Sequence, residues 1–270
     1  MKNTISIIVP CYNAEHTILN TINAVQQSIS ACQSKWDWEI IAVNDGSTDS
    51  TETILKKTEM IKLINHKSNR SLACARNTGI KNSTGTYIAF IDADIEVSKK
   101  WFLEVLKVLK SSPNIIGVTG TLTPQPNITM SPLSQYLFSK YRGQQKVNKN
   151  ICLNYKSFVF SNTIIKRSAL DSVGFFDESL NRYGGEDTEL AIRINEKFPS
   201  GMRKIKAESQ HITNKSLNQH LLNMFDYGRF NFLKIINKHP GYKNDLGYQY
   251  VNSLLGKILF NRLSKSFINC

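Results

Sequence analysis

Apolar positions along this chain follow two alternating patterns. Short runs rich in β-branched residues at 4–9, 38–43, 61–64, 86–91 and 115–119 are bounded by Pro, Gly, Asn or Asp, and read as buried strands. Between them, Ile18, Ile22, Val25 and Ile29 recur at helical spacing within 14–34, and Phe102, Val105, Leu106 and Leu109 do so within 99–110. Asp49, with Glu52 three residues on, marks a short helix ending near position 60. Residues 71–82 form a further helix, and Ser98 is the expected cap of 99–110. Strands and helices joined by short links predict βαβ units: an α/β fold with a mostly parallel sheet flanked by helices.

Beyond position 119 the pattern loosens. Residues 120–130 and 143–154 read as loops, 158–166 as a strand, and 168–173 as a short helix ended by Gly174. Gly184-Gly185-Glu186-Asp187 opens a helix through 196. From 216 the chain turns helical, with Leu221, Leu222, Phe225, Phe230, Leu233 and Ile236, and its tail, 248–268, is apolar and basic. The predicted division is a domain at 1–215, with halves 1–119 and 120–215, and a helical extension at 216–270.

With 270 residues there is enough chain for one large α/β domain and its core. The start of the chain has no h-region or cleavage site, and no run of 18 uncharged apolar residues occurs, so the expectation is a cytoplasmic protein. The five cysteines, Cys11, Cys32, Cys74, Cys152 and Cys270, lack metal-ligand spacing and read as reduced thiols. A formal net charge of +13 changes the picture more. It calls for an anionic partner: nucleic acid, lipid headgroups or a phosphorylated substrate. The basic residues are dispersed and no nucleic-acid module is present, so nucleic acid is not expected as a partner.

The candidate chemistry centres on 86–96. A buried strand there runs into Asp92-Ala93-Asp94. Residues two apart in an extended chain share a side, so two carboxylates leave the strand end together. One reading is a divalent cation held with substrate phosphates at the carboxyl end of a central strand. The other is a pair of solvated acids in a strand-to-helix turn.

Residues 6–13 (SIIVPCYN), 43–49 (VNDGSTD), 75–79 (ARNTG), 90–94 (FIDAD) and 184–187 (GGED) occur in this order. Together they resemble the glycosyltransferase family 2 domain of inverting enzymes with the GT-A fold, over residues 4–235. The resemblance implies a nucleotide-sugar-binding half at 1–119 and an acceptor-binding half at 120–215. Pro10, Tyr12 and Asn13 would border the donor nucleotide, with Tyr12 stacking on its base, and Asp45 would accept the imino N–H of a uracil. Arg76 would reach the base or a phosphate. Asp92 would contact the ribose or metal-bound water, and Asp94 would ligate Mn²⁺ or Mg²⁺ with His211. Asp187 would be the general base, and Glu186 would contact the acceptor. Asp177 and Glu178 are alternatives to them, more structural in character. The implied partners are a nucleotide-sugar donor and a glycan or lipid-linked acceptor. The apolar, basic stretches 225–236 and 248–268 offer an anionic membrane surface as a further partner, with 216–237 reading first as a cover over the sheet or acceptor site.

The chain departs from the family's processive polymerases. It has no QxxRW segment after the GGED stretch and no membrane-spanning block, so a non-processive enzyme is implied. Asn44 stands where many relatives carry aspartate. Three other readings compete: a basic nucleic-acid- or membrane-surface-binding protein, a nucleotidyltransferase, and a catalytically inactive scaffold. The nucleotidyltransferase would need a glycine-rich, basic phosphate loop after the first strand, and Pro10-Cys11-Tyr12-Asn13 is not one. Intact Asp92, Asp94 and Asp187 oppose the scaffold.

Overall fold

The N-terminal apolar run forms β1 (Thr4–Cys11), every residue after Thr4 being buried. Its alternate side chains serve two cores. Ile5, Ile7 and Val9 join one cluster with Ile18, Ile22, Trp101 and Phe102. Ile8 joins a second with Ile80, Phe90, Phe160 and Leu190. Burial on both faces explains why the run is continuously apolar rather than alternating. The computed structural model describes residues 4–32, 36–126, 129–141, 145, 152–212 and 216–254.

The chain continues through α1 (Ile18–Ala31), β2 (Asp37–Asn44), α2 (Thr51–Lys56), β3 (Lys62–Asn65), α3 (Leu72–Lys81) and β4 (Tyr87–Ile91). β1 pairs in parallel with β2 and β4, and β2 in parallel with β3, which is the predicted βαβ half. Gly79 lets α3 lie directly on β1, since a Cβ there would stand 2.4 Å from Ile8 Cγ2. That approach carries Arg76 beneath the strand ends.

The second half departs from a parallel sheet. After β4 come β5 (Ile95–Val97), α4 (Trp101–Ser111), β6 (Gly117–Pro124), α5 (Pro132–Leu137), β7 (Asn162–Lys166), α6 (Arg167–Val173), α7 (Glu186–Lys197) and β8 (Met202–His211). The eight-stranded sheet has the order β3-β2-β1-β4-β7-β6-β8-β5. β7 lies antiparallel to both β4 and β6, and β5 antiparallel to β8, so the sheet is mixed. Neither β5 nor β8 is legible as a strand. In β8 Ile205 is inward, but the next inward positions, Ala207 and Ser209, are too small or polar to mark a period against Lys206 and Glu208. β6 runs on across Gly120 to Pro124, where the sequence reads as a loop. The helix after β5 begins at Trp101 without a side-chain cap, and Ser98 offers only its carbonyl to the Trp101 N–H at 2.9 Å.

Residues 217–238 form α8 (Leu217–Asp226), a π-helical turn (Tyr227–Asn231) and α9 (Phe232–Lys238). They are fastened to α7 by Glu189, whose side chain is fully buried. Glu189 accepts hydrogen bonds from Arg193 Nε at 3.0 Å and Nη2 at 2.6 Å, and from His239 Nε2 at 3.1 Å. Lys238 Nζ lies 2.7 Å from it and 2.9 Å from Asp177. Arg193 also donates to the carbonyls of Val173, Gly174 and Phe175 at the end of α6. Of the predicted tail, α10 (Tyr248–Asn252) is seen, and residues 255–270, including Cys270, lie outside the described residues. Among the described residues no helix is long and apolar enough to cross a membrane.

Removing one partner from a buried ionic cluster leaves the others uncompensated. Glu189→Ala is expected to destabilise the protein by ~3 kcal/mol, read from the midpoint of urea unfolding. A shift within experimental error would show that the cluster contributes nothing net.

Candidate functional site

A cleft of about 700 Å³ opens at the carboxyl ends of β1, β2 and β4, between α3 and α7. Pro10, Tyr12, Asp45, Arg76, Asp92, Asp94, Glu186, Asp187 and His211 all line it. Asn13 does not.

Strand β4 ends at Ile91, and residues 92–94 form a tight turn closed by the Ile95 N–H donating to the Asp92 carbonyl at 3.0 Å. Neighbouring elements hold that turn. The Asp92 N–H donates to Ser161 O at 2.9 Å, the Ile212 N–H to Asp94 O at 2.9 Å, and Thr21 Oγ1 to Ala93 O at 2.9 Å. Because the chain turns here, the period of two expected of a strand fails. The two carboxylates take different partners instead of projecting as a pair.

Asp92 takes Arg76. The guanidinium is 1% exposed and lies 5.1 Å from the centre of the Phe176 ring. Its Nη2 donates to Asp92 Oδ1 at 2.9 Å, and its Nη1 to Asp187 Oδ1 at 2.6 Å, with Glu186 Oε1 3.6 Å from Nη1. Burial alone would lower the arginine pKa, but Asp187, Asp92 and Glu186 reverse that and raise it. Enclosure also raises the Asp92 pKa, with Arg76 opposing and Asp94 and Asp187 adding to the rise. Arg76 was expected to reach a base or a phosphate; the structure commits both its terminal nitrogens to carboxylates.

Asp94 takes His211, with Nε2 to Oδ2 at 3.2 Å. The β5·β8 pairing sets His211 opposite Ile95 and so brings it beside the turn. A carboxylate oxygen and an imidazole nitrogen form a donor pair that Mn²⁺ accepts, and carboxylate oxygens also suit Mg²⁺. Among the described residues no group of three His, Cys, Asp or Glu forms a metal cage. The donor set fits an ion that completes its shell with phosphate oxygens and water.

On the nucleotide side, Asp45 lines the cleft and Asn13 does not. Asp45 is 3% exposed, and both its oxygens are engaged. His66 Nδ1 meets Oδ1 at 2.6 Å, the Arg70 N–H lies 3.0 and 3.1 Å from the two oxygens, and the Ser71 N–H donates to Oδ2 at 3.0 Å. With these contacts Asp45 orders the 66–71 loop beneath the cleft that it lines. Sequence reasoning assigned His66 no role. Its only signal is position: it follows β3, whose Asn65 pairs in register with Asn44. Asn13, at φ 47°, accepts from the Thr48 N–H at 2.8 Å and donates its own N–H to Ser47 Oγ at 3.0 Å. It braces the loop behind the cleft. Tyr12 is half exposed in the cleft, as stacking requires.

The Gly184–Asp187 turn is positioned by the C-terminal helices. Gly185 caps α7 at φ 95°, a conformation that favours glycine. A Cβ there would stand 2.7 Å from Ile235 Cδ1 and 2.8 Å from Tyr227 Cε2. Asn231, fully buried in the π-helical turn, donates to Arg182 O at 2.9 Å and Gly184 O at 2.7 Å. Asp187 Oδ2 accepts the Phe160 N–H at 3.2 Å. Glu186 is buried, and burial, with Asp187 and Asp92 beside it, pushes its pKa up to about 7 against the opposing pull of Arg76. Burial, with Glu186 nearby, also pushes the Tyr227 phenol up to about 12. Sequence reasoning did not include Tyr227 or Asn231.

Fold and cleft define a glycosyltransferase of the GT-A type. S. aureus TarS (residues 1–349) superposes with a TM-score of 0.64 at 18% identity, covering 100% of this chain and 78% of that one. The mannosyltransferase PcManGT from Pyrobaculum calidifontis, solved with GDP-Man and Mn²⁺, gives 0.63 at 19% identity, covering 88% and 65%. The profile described as "Glycosyl transferase family 2" matches residues 6–174, and the chain belongs to that family. The Escherichia coli glucosyltransferase WfgD is 36% identical over 174 residues, 63% of each chain. The poly-β-1,6-N-acetyl-D-glucosamine synthase of Staphylococcus epidermidis is 31% identical over 184 residues, 65% of this chain. The chain spans 42% of the synthase's length and 63% of WfgD's.

A carboxyl group whose folded pKa is raised favours its protonated form. Its contribution to stability is full below the ordinary 4.5 and is lost as pH rises through about 7. Glu186→Gln, which cannot ionise, should therefore lose less thermal stability than the wild type between pH 5 and pH 8. Parallel Tm-against-pH curves for the two proteins would show that Glu186 is not held protonated.

Proposed function

We propose that the protein is an inverting, non-processive glycosyltransferase that moves a hexosyl or N-acetylhexosaminyl group from a UDP-sugar to a hydroxyl of a glycan or lipid-linked acceptor. The observation that carries this is the charge in the cleft. Asp92, Asp94, Glu186 and Asp187 line it, and the one buried guanidinium among them, Arg76, has both terminal nitrogens engaged. A nucleotide diphosphate entering such a cleft needs a cation. Asp94 and His211 would hold Mn²⁺ or Mg²⁺, which supplies screening of the charge that builds on the departing diphosphate.

This chain's residues do the rest. Tyr12 stacks on the base. Asp92, with Oδ1 tied to Arg76, offers its other oxygen to the ribose or to metal-bound water. Asp187, oriented through both oxygens by Arg76 and the Phe160 N–H, takes the proton of the acceptor hydroxyl. The acceptor oxygen then bonds to the anomeric carbon as the bond to the diphosphate breaks, with inversion. Glu186, with its pKa near 7, keeps a proton over part of the neutral range and donates it in a hydrogen bond to the acceptor.

The relatives support these donor and acceptor classes. TarS has been solved with UDP-GlcNAc, WfgD is described as using UDP-Glc and a diphosphoundecaprenol-linked acceptor, and the staphylococcal synthase as making a glycan. A lipid-linked acceptor would bring this protein to the cytoplasmic face of a membrane, and nucleic acid has no part in the proposed reaction.

Two variants test the roles. Asp187→Asn keeps the size of the side chain but cannot take a proton, so transfer should fall by ~10²–10⁴-fold while UDP binding stays near wild type. Transfer at nearly the wild-type rate would remove Asp187 as the base and leave Glu186, Asp177 and Glu178 as candidates. Asp94→Ala should abolish the gain in UDP affinity that Mn²⁺ gives, measured by calorimetry with and without the ion. An unchanged gain would exclude Asp94 as a ligand.

A further inference from the structure

Helix α8 is amphipathic, yet its sole buried residue among those described is a polar one, His220. Its apolar side faces outward. Leu217 is 58% exposed, Leu221 45%, Leu222 61% and Met224 36%. The surface continues past the π-helical turn through Phe230 and Leu233, at 37% and 46%. Amphipathic helices of water-soluble proteins normally turn this side to the core. A contiguous exposed patch of large apolar residues marks a contact surface.

Two features indicate what covers it. The guanidiniums of Arg182 and Arg229 each lie 5.3 Å from the Phe230 ring centre, and Lys234 follows one residue after Leu233. Leucine and phenylalanine edged by arginine and lysine form the pattern of a helix lying in the headgroup region of an anionic bilayer. A second copy of this chain is a poor occupant, because it would bring a net charge of +13 against another +13. The position of the patch matters as well. Arg182, Tyr183 and Asp226, the last residue of α8, line the catalytic cleft. The apolar face therefore borders the mouth of the site.

We infer that the outer face of α8 and the start of α9 is a membrane-docking surface that seats the cleft mouth against anionic lipid. It deepens the proposed use of a lipid-linked acceptor. An acceptor with its polyprenyl chain in the bilayer and its sugar in the headgroup layer would meet the cleft without leaving the membrane. The sequence offers both 225–236 and 248–268 for this contact, with 216–237 favoured as a cover over the sheet or acceptor site; 255–270 lies outside the described residues.

The test is flotation of the full chain with vesicles of phosphatidylcholine alone or mixed with phosphatidylglycerol. Wild-type protein should float with the anionic vesicles at low salt and less so as salt rises. The double variant Leu221→Glu/Leu222→Glu should lower that binding ~10-fold or more, since it places charge on side chains that would enter the interface. Its affinity for UDP with Mn²⁺ should stay at the wild-type value, so a failure of the docking surface is distinguishable from a failure of the transferase reading. Leu259→Glu/Leu263→Glu, in the tail, serves as comparison. The inference is overturned if wild-type protein ignores anionic vesicles, or if the α8 variant floats like wild type while the tail variant does not. It is also overturned if wild-type protein is a dimer that the α8 variant dissociates, which would make the face a contact between copies.

Discussion

The catalytic cleft depends on one buried guanidinium. Arg76 reaches from α3 to Asp92 at the end of β4 and to Asp187 in the first turn of α7, elements separated by 95 residues of chain at those two aspartates (187 − 92). Three carboxylates within its reach would repel each other in a site screened from water. With Arg76 between them they become a fixed frame, and the surplus negative charge is left to attract a cation. The overall charge of +13 gives no hint of this: the chain as a whole is basic, yet Asp92, Asp94, Glu186 and Asp187 gather in one cleft.

The frame has a second support from behind. Glu189 ties α9 to α7, and Asn231 holds the carbonyls that precede Glu186. π-Helical turns are rare and occur frequently at functional sites. Here the turn places Tyr227 and Asn231 together against the glycine pair. The helices after 216, which read as an appendage in the sequence, form one wall of the site and one face of its rim.

The parallel half of the fold was legible because β1 and β4 are buried on both sides and β2 over its second half, so that each reads as an apolar run. β8 was not, since a strand beside the sheet edge with serine and alanine inward leaves no period to read. The DxD acids, the GGED pair and His211 were recognisable as motifs, and all of them line the cleft. Their partners were not. Arg76 looks like any helical arginine until the fold brings residue 187 beside it. Asp45 carries a motif position and also accepts from His66 and two backbone amides, contacts that residue identity does not disclose. Asn13 likewise stands in a recognisable stretch and serves the loop behind it.

The clamp on Gly185 has a consequence for how such enzymes diversify. The family profile ends at residue 174, so the shared ancestry it records stops short of both the glycine pair and the helices that press on it. Ile235 and Tyr227 leave no room for a β-carbon at 185. A side chain at 185 would have to be met by a change at 227 or 235, although these positions lie forty to fifty residues apart in sequence (227 − 185 to 235 − 185). A recombinant of two relatives whose crossover fell before residue 184 would keep the turn and its clamp together. A crossover between 185 and 227 would pair a turn from one lineage with a clamp shaped for another.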